Sequence, residues 1–99
     1  MNTVRFRGEN CKVQFGKYGN GRTAIMLVRE NGEPMAKASL NLEAALHWPL
    51  SADEIAIKDY SENEGMLAAL TGAGIVSAPL RDVACGFVRV PICRLLVQP

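Results

Sequence analysis

Apolar and polar residues alternate along much of the first 42 residues, with the two-residue period of strands that are buried on one face. Alternating runs begin at Val4, at Cys11 and at Ala36. A continuous apolar run at 24–28 is typical of a strand that is covered on both faces. Glycine-containing turns separate these runs, at residues 8–10, 18–21 and 30–33. The pattern predicts an antiparallel meander of four strands.

The segment 55–76, IAIKDYSENEGMLAALTGAGIV, predicts a strand followed by the main helix of the chain. Ile55 and Ile57 have the spacing of a half-buried strand. Ser61 and Glu64 have the spacing of a capping box, in which each side chain accepts a hydrogen bond from the backbone N–H of the other residue. Asp59 and Glu62 offer a second, overlapping frame, so we predict that the helix begins within two residues of Ser61.

The second half of this segment predicts how the helix packs and where it ends. Met66, Leu67 and Leu70 form an apolar stripe at helical spacing, which favours packing of the helix on a sheet. A glycine just after a helix readily adopts a left-handed conformation, as the Schellman motif requires. We expect the helix to end between Thr71 and Gly74.

Residues 86–96 read as the last strand, with Val88, Val90 and Ile92 on one face. Pro91 interrupts this run and has no N–H to give to a neighbouring strand. The sequence therefore predicts that the last strand lies at an edge of the sheet or contains a bulge. An apolar edge strand pairs readily with its own copy, so a homodimer is a further expectation.

Residues 43–50 are ambiguous, because a short helical pattern is stopped by Pro49. We interpret them as a loop with at most one helical turn, with His47 and Trp48 at or near the surface. With 99 residues, the chain makes a single domain, 1–99. The predicted fold is α+β, an antiparallel β-sheet of about five to six strands with one main helix packed on a face.

The composition, 48% hydrophobic and 21% charged, is that of a globular protein. The chain has neither a run long enough to span a membrane nor the apolar core of a signal peptide, so we expect a cytoplasmic location and no membrane contact. Three widely spaced cysteines form neither a disulfide framework nor a zinc motif, so we expect no metal, cofactor or disulfide; they are Cys11, Cys85 and Cys93.

The net charge of +1 is unevenly distributed, because the segment 38–64 holds six acidic residues and one basic residue. Asp53, Glu54, Asp59, Glu62 and Glu64 form an acidic corner around the predicted helix start. Such a corner could dock on a basic protein, although helix capping and solubility also explain it. The predicted protein-binding residues are Asp59, Tyr60, Glu62 and Glu64.

The segment 1–37 is basic, and its first hairpin is a candidate for binding nucleic acid. If Val4 and Phe6 face the core, Arg5, Arg7 and Lys12 share the outer face. Basic residues beside an exposed aromatic ring can hold a nucleic-acid backbone and stack a base, whereas a solvated sheet face would show the same pattern. The alternative nucleic-acid-binding residues are Arg5, Arg7, Lys12, Lys17, Tyr18 and Arg22.

The stretches IKDYSENEGML and GFVRVPICRLL resemble a family of short uncharacterised proteins from phages, plasmids and integrative elements of Gram-negative bacteria. The resemblance covers most of the chain from Cys11 onward. It implies the setting of a mobile genetic element and supplies no activity.

Catalysis requires groups that are tuned for proton transfer or nucleophilic attack, and the spacing of the single histidine and the cysteines does not indicate such a pair. We therefore predict a small non-enzymatic accessory protein of a mobile genetic element that binds a host protein. An inhibitor of a host defence protein is the sharpest form of this hypothesis. The alternative is a nucleic-acid-binding module that uses the basic N-terminal hairpin.

Overall fold

Two antiparallel sheets and one short helix make up the part of the chain that the structure, a computed structural model, describes, namely residues 2–42 and 50–99. The first sheet has the order β1-β2-β3-β4 and contains β1 (Thr3–Phe6), β2 (Glu9–Lys17), β3 (Thr23–Arg29) and β4 (Pro34–Lys37). The second has the order β5-β6-β8-β7 and contains β5 (Ser39–Leu40), β6 (Glu54–Ile57), β7 (Arg81–Cys85) and β8 (Val88–Arg94). Between β6 and β7 lie a 3-10 turn (Ser61–Asn63) and the helix α1 (Met66–Gly72).

The α+β class and the four-strand meander are confirmed, but the strands form two sheets of four rather than one sheet of five or six. The reason is that the run predicted as the fourth strand bends at Ala38 and passes from the first sheet into the second. The predicted loop at 43–50, with His47 and Trp48, lies almost wholly outside the described residues.

Backbone and side-chain hydrogen bonds hold this crossing at Ala38 and Ser39. The Ala38 N–H donates to the carbonyl of Ile25 in the first sheet at 2.9 Å, and the Ala38 carbonyl accepts from the Lys58 N–H at 2.8 Å. At Ser39 the backbone has already turned away from the first sheet. The fully buried Ser39 hydroxyl therefore takes the place of a backbone carbonyl and accepts from the Ile25 N–H at 2.9 Å. Strands β4 and β5 are therefore one extended segment that bends at Ala38, with β4 in the first sheet and β5 in the second. The main core lies between the two sheets.

The core between the sheets takes one face of each sheet and the buried side of α1. A second, smaller apolar cluster lies on the other face of the second sheet, and strand β6 contributes to both, since Ile55 and Ile57 face the main core while Ala56 faces the second cluster. The segment is a strand, as predicted, but all three residues are buried, so it is covered on both faces rather than on the one face that the spacing of Ile55 and Ile57 suggests. The largest fully buried side chains of the main core are Val4, Ile25, Leu27, Ile57, Met66, Leu70, Ile75 and Val76, and the almost fully buried Phe6 adds an aromatic ring.

The helix begins at Met66, later than the predicted start near Ser61. Ser61 makes no side-chain cap and begins a 3-10 turn instead. Gly65, with φ of 96°, then separates this turn from α1, because a left-handed residue cannot continue a right-handed helix. The predicted capping box is therefore wrong. The cap is the carboxylate of Asp59, whose Oδ1 accepts from the Leu67 N–H at 2.8 Å.

The predicted end of the helix is confirmed. Helix α1 ends at Gly72, and Gly74 follows with φ of 73°. The Gly74 N–H donates to the Thr71 carbonyl at 3.1 Å, and the Ile75 N–H donates to the Leu70 carbonyl at 3.0 Å. This is the bonding pattern of a Schellman motif, and it turns Ile75 back into the core.

Strand β8 does not lie at an edge, as Pro91 had suggested, but between β6 and β7. Its pairing with β6 covers Ile92 to Arg94, with Ile92 opposite Ala56, and therefore starts one residue after Pro91. The missing N–H of Pro91 therefore falls just outside that ladder, and the proline is buried without breaking it. Because β7 is the edge strand of this sheet, the predicted role of the last strand in a homodimer loses its basis.

Two expectations drawn from the composition concern the state of the cysteines and the presence of a membrane-spanning helix. All three cysteines are free thiols, with Cys11 and Cys93 buried and Cys85 half-buried. Among residues 2–42 and 50–99, no helix is long and apolar enough to cross a membrane.

We predict that Asp59→Ala lowers the free energy of unfolding by about 1 kcal/mol, because it removes the carboxylate that caps α1. Ser61→Ala is the control and should change it by less than about 0.5 kcal/mol, because the Ser61 side chain caps nothing. Urea unfolding followed by circular dichroism measures both values. A larger loss in the Ser61 variant would restore the capping box and contradict the assignment.

Candidate functional site

The acidic corner predicted from the sequence divides into two separate groups of carboxylates. Asp53 and Glu54 lie at the far end of β6 from the helix start and form ion pairs with distant arginines. Asp53 Oδ2 lies 2.9 Å from Arg94 Nε. Glu54 accepts from both terminal nitrogens of Arg81, at 2.7 Å and 3.1 Å. These two carboxylates therefore join the strands of the second sheet.

Glu54 has the most strongly shifted carboxyl group. The hydrogen bonds from Arg81, and then the one from the Ser51 N–H at 2.8 Å, lower its pKa from 4.5 to about 2. Its side chain is only 10% exposed. A carboxylate held in this way is fixed in its charged form and is poorly placed to act on a partner.

The other group surrounds the start of α1, and most of its members also have contacts within the fold. Asp59 caps the helix, and Glu62 accepts from the Lys58 ammonium at 2.7 Å, a hydrogen bond that lowers the pKa of Glu62. The same ammonium lies 5.8 Å from the centre of the Tyr60 ring, which packs against the second apolar cluster. Of the four predicted protein-binding residues, Glu64 is exposed with no side-chain partner among the described residues.

The predicted basic hairpin is brought together only in part. Arg5 and Lys12 lie on the outer side of β1 and β2, as expected from the alternation of the strands. Arg7 does not share this face, because it lies in the turn with φ of 50° and stacks its guanidinium 5.5 Å from the centre of the Phe6 ring. The prediction that Arg5, Arg7 and Lys12 share one face is therefore wrong for Arg7.

Two of the three residues predicted at the far end of the hairpin, Tyr18 and Arg22, have side-chain contacts within the fold. The half-buried Tyr18 shares a hydrogen bond of 2.9 Å between its hydroxyl and that of Ser39, so its ring is not a free platform for stacking a base. Arg22 donates to the Ser51 carbonyl at 3.0 Å. Lys17 is exposed at the end of β2, opposite Thr23 and on the side of the sheet that faces the core.

One further cation lies on the same open side of the first sheet as Arg5 and Lys12. The register aligns Gln14 with Met26 and Met26 with Lys37, so Lys37 belongs to this side although it is distant in sequence. We call this side the outer face. Its strand positions, none of which holds a carboxylate, are Thr3, Arg5, Asn10, Lys12, Gln14, Gly16, Ala24, Met26, Val28, Pro34 and Lys37. One carboxylate, that of Glu30 just after β3, lines the same shallow pocket as Arg5 and Lys12.

Sequence reasoning missed Lys37 because its strand was not aligned with the first hairpin. The alternation of the fourth strand was visible, but the register that places Lys37 beside Met26 depends on a bulge between Leu27 and Val28. The bulge adds one residue to β4 and reverses which side chains face outward from that point.

The two buried thiols, Cys11 and Cys93, are poorly suited to nucleophilic chemistry. Burial raises the pKa of Cys11 and raises that of Cys93 to about 11, so both stay protonated at neutral pH. Within residues 2–42 and 50–99, no group of three or more histidine, cysteine, aspartate or glutamate side chains could hold a metal ion.

Comparison of the chain with models of protein families, with characterised proteins and with solved structures gives no match in any of the three. The resemblance to proteins of phages and plasmids therefore stays a prediction.

We predict that Glu54→Gln changes the acid sensitivity of folding. The pKa of Glu54 is lower in the folded protein than the ordinary value of 4.5, so the folded state binds this proton less readily than the unfolded state. Its contribution to the free energy of unfolding is present above pH 4.5 and is lost as the pH falls towards 2.

Urea midpoints of wild type and Glu54→Gln between pH 6 and pH 2 test this expectation, since subtracting the two curves removes the contribution of every other group. The variant should be less stable above about pH 5, and the difference should shrink towards zero near pH 2. A difference that is constant across this range would mean that the Glu54–Arg81 pair does not contribute to folding.

Proposed function

We propose that the protein acts by binding rather than by catalysis, as a small cytoplasmic accessory protein of a mobile genetic element. The outer face of the first sheet is its contact surface, and the ligand is the phosphate backbone of a nucleic acid. This reverses the order of the two hypotheses that the sequence suggested, because the structure shows which charges are already neutralised within the fold.

The proposal rests on the separation of paired and unpaired cations. The arginines of β7 and β8 all form ion pairs, and Lys58 pairs with Glu62. In contrast, Arg5 has only a neutral partner, Asn10, at 3.2 Å, and Lys12 and Lys37 have no ion pair with a described residue. A net charge of +1 therefore conceals an open sheet face on which the cations are free to meet phosphates.

The outer face predicts a particular mode of binding. Its strand positions hold no aromatic ring, because Phe6 and Phe15 point to the core side and Tyr18 is bonded to Ser39. A sheet face that binds single-stranded nucleic acid usually does so by stacking the unpaired bases on its aromatic rings. We therefore expect contacts to phosphates, independent of sequence and strongly dependent on salt.

We predict that Lys12→Gln, Lys37→Gln weakens binding by about tenfold at low salt, because two phosphate contacts are lost. The slope of log affinity against log salt should fall by about 0.7 for each contact on a single strand and by about 0.9 on a duplex. Fluorescence anisotropy with labelled single-stranded and duplex DNA of about 20 nucleotides, a length sufficient for one small domain, measures both quantities.

The control is Lys58→Gln, Arg94→Gln, which removes the same charge from the second half of the chain. Arg94 is half exposed and Lys58 is half-buried, and each pairs with an exposed carboxylate, so folding of this variant is checked by circular dichroism. The affinity of the folded variant should stay within about threefold of wild type. Equal losses of DNA affinity in the two variants would mean that binding depends on net charge alone and not on the outer face. No binding by the folded wild-type protein at low salt would refute the proposal.

A second candidate is the protein-binding function, in which the turn before α1 docks on a host protein and inhibits a defence system. Glu64 has no side-chain partner within residues 2–42 and 50–99, and Glu62, with a side chain 68% exposed, presents a second carboxylate on the same short segment. The backbone bonds of the 3-10 turn and the Asp59 cap fix their positions. A small fixed acidic surface suits a basic protein.

We predict that Glu64→Lys separates the two candidates, because this exposed side chain makes no hydrogen bond or ion pair with the part of the chain that the structure describes. The wild-type protein and the Glu64→Lys variant are each immobilised, and the proteins that each captures from host lysate are compared with and without nuclease treatment. A protein captured after nuclease treatment by wild type and lost with Glu64→Lys would favour the second candidate. Capture that nuclease abolishes, and that Glu64→Lys preserves, would favour the first.

A further inference from the structure

The edge strand of the second sheet, β7, has backbone groups that point away from the sheet. The hairpin register pairs Cys85 with Val88 around the two-residue turn Gly86–Phe87. The residues next to such a turn form a hydrogen-bonded pair, and bonded and non-bonded pairs then alternate along the strands. Asp82 is opposite Pro91, which has no N–H, and this agrees with the same alternation.

It follows that Asp82 and Ala84 direct their N–H and carbonyl groups towards solvent rather than towards β8. A row of such groups is a template for another strand. Proteins usually guard an edge with charged side chains, but here the two charged residues of β7 have partners in their own chain. Arg81 binds Glu54, and Asp82 Oδ1 lies 2.7 Å from Arg89 Nη2.

Large apolar side chains stand exposed just before and just after this edge. Leu80 precedes β7 and is 42% exposed, and Phe87 follows it at the tip of the hairpin and is fully exposed. Exposed apolar groups next to an open strand edge are typical of a surface that meets another protein.

We propose that β7 pairs with β7 of a second copy of this chain, antiparallel about a two-fold axis at Val83. In this register Asp82 of each copy is opposite Ala84 of the other, and these are the residues whose backbone groups point outward. Two four-stranded sheets join into one continuous sheet, and the interface is self-complementary, as the symmetry of a dimer requires.

The charges at this edge favour a second copy over an unrelated strand. Ala84 is paired with Arg89 within the chain, and Ala84 is small and exposed. Arg89 is bonded to Asp82 of its own chain and lies beside Ala84, so in this register it also faces Asp82 of the second copy across Ala84. The Arg89 of the second copy faces the first Asp82 in the same way. No two like charges are opposed in this register, because Arg81 is opposite Cys85 of the second copy.

The apolar residues are complementary in the same register. Leu80 is opposite Gly86 of the second copy, which has no side chain and leaves room beside Phe87. Each end of the paired strands therefore brings one Leu80 and one Phe87 together, and Val83 meets its own copy at the centre. Both residues that are exposed in the single chain become covered.

Sedimentation velocity on nuclease-treated protein, from about 1 to about 300 µM, tests the proposal, since an interface of two short strands is expected to be reversible. The mass should rise from 10.7 kDa towards twice that value.

Ala84→Pro removes an outward N–H and should weaken the dimer at least tenfold, while Ala84→Ser, which keeps the N–H, should behave as wild type. The β7–β8 ladder does not use this N–H, so circular dichroism should show a folded Pro variant.

Two measurements do not depend on the folding of Ala84→Pro. Phe87→Ser changes only the tip of the hairpin and should also weaken the dimer. In the wild type, hydrogen exchange at the Asp82 and Ala84 amides should slow at least tenfold as the concentration rises. A wild type that stays at 10.7 kDa, or a dimer in which these amides exchange at an unchanged rate, would overturn the proposal.

The proposed dimer is independent of the proposed nucleic-acid function. Lys12→Gln, Lys37→Gln should dimerise as wild type does, because both residues are in the first sheet. Ala84→Pro should in turn keep the intrinsic affinity of each outer face for DNA.

Discussion

The crossing of one strand between two sheets is the constraint on which the rest of this structure depends. At Ala38 and Ser39 the chain leaves the first sheet, and a buried N–H of Ile25 would lose its partner there. The Ser39 hydroxyl replaces the missing carbonyl. Nearby, the buried Asn63 side chain donates to the Lys37 carbonyl at 2.6 Å. Because buried polar groups without partners destabilise a fold, these two side chains make the bend possible.

The same constraint determines the roles of several residues that resemble functional ones in the sequence. Tyr18 completes the hydrogen bonding of Ser39. Asn63 belongs to the 3-10 turn and ties the segment before α1 to the crossing strand. The segment around the helix start is therefore held in place by structural contacts, and two of its carboxylates, Asp59 and Glu62, have partners within the fold. What remains open is the opposite side of the first sheet, where no element of the described chain packs.

Local patterns in the sequence predicted the elements whose stability is local. The alternation of Val4 and Phe6, the glycine turns and the Schellman motif at Gly74 all depend on residues that are close in sequence. The last strand was placed wrongly because alternation does not reveal which strands are its neighbours. The helix start was placed wrongly because the cap, Asp59, acts on Leu67 across a turn and the left-handed Gly65.

The candidate sites were harder to predict than the fold, because pairing of charges depends on distant residues. Asp53 and Glu54 look like members of one acidic block, but their partners Arg94 and Arg81 are 41 and 27 residues away. A charge that is paired in this way contributes little to a binding surface. Conversely, Lys37 joins Lys12 only through the register of three strands. Counting charges in segments of sequence overestimated the acidic surface and underestimated the basic one.

The two open features of the molecule lie on different sheets, and this has a consequence for how they could act together. Pairing through β7 in the second sheet leaves the outer face of the first sheet uncovered. A two-fold axis then presents two outer faces from one assembly. Each face has few cations, so a single copy would bind phosphates weakly, but binding of the second face to the same strand would be intramolecular and would raise the affinity without any new contact. A small domain with a net charge of +1 could in this way bind nucleic acid without the strongly basic composition that such domains usually have.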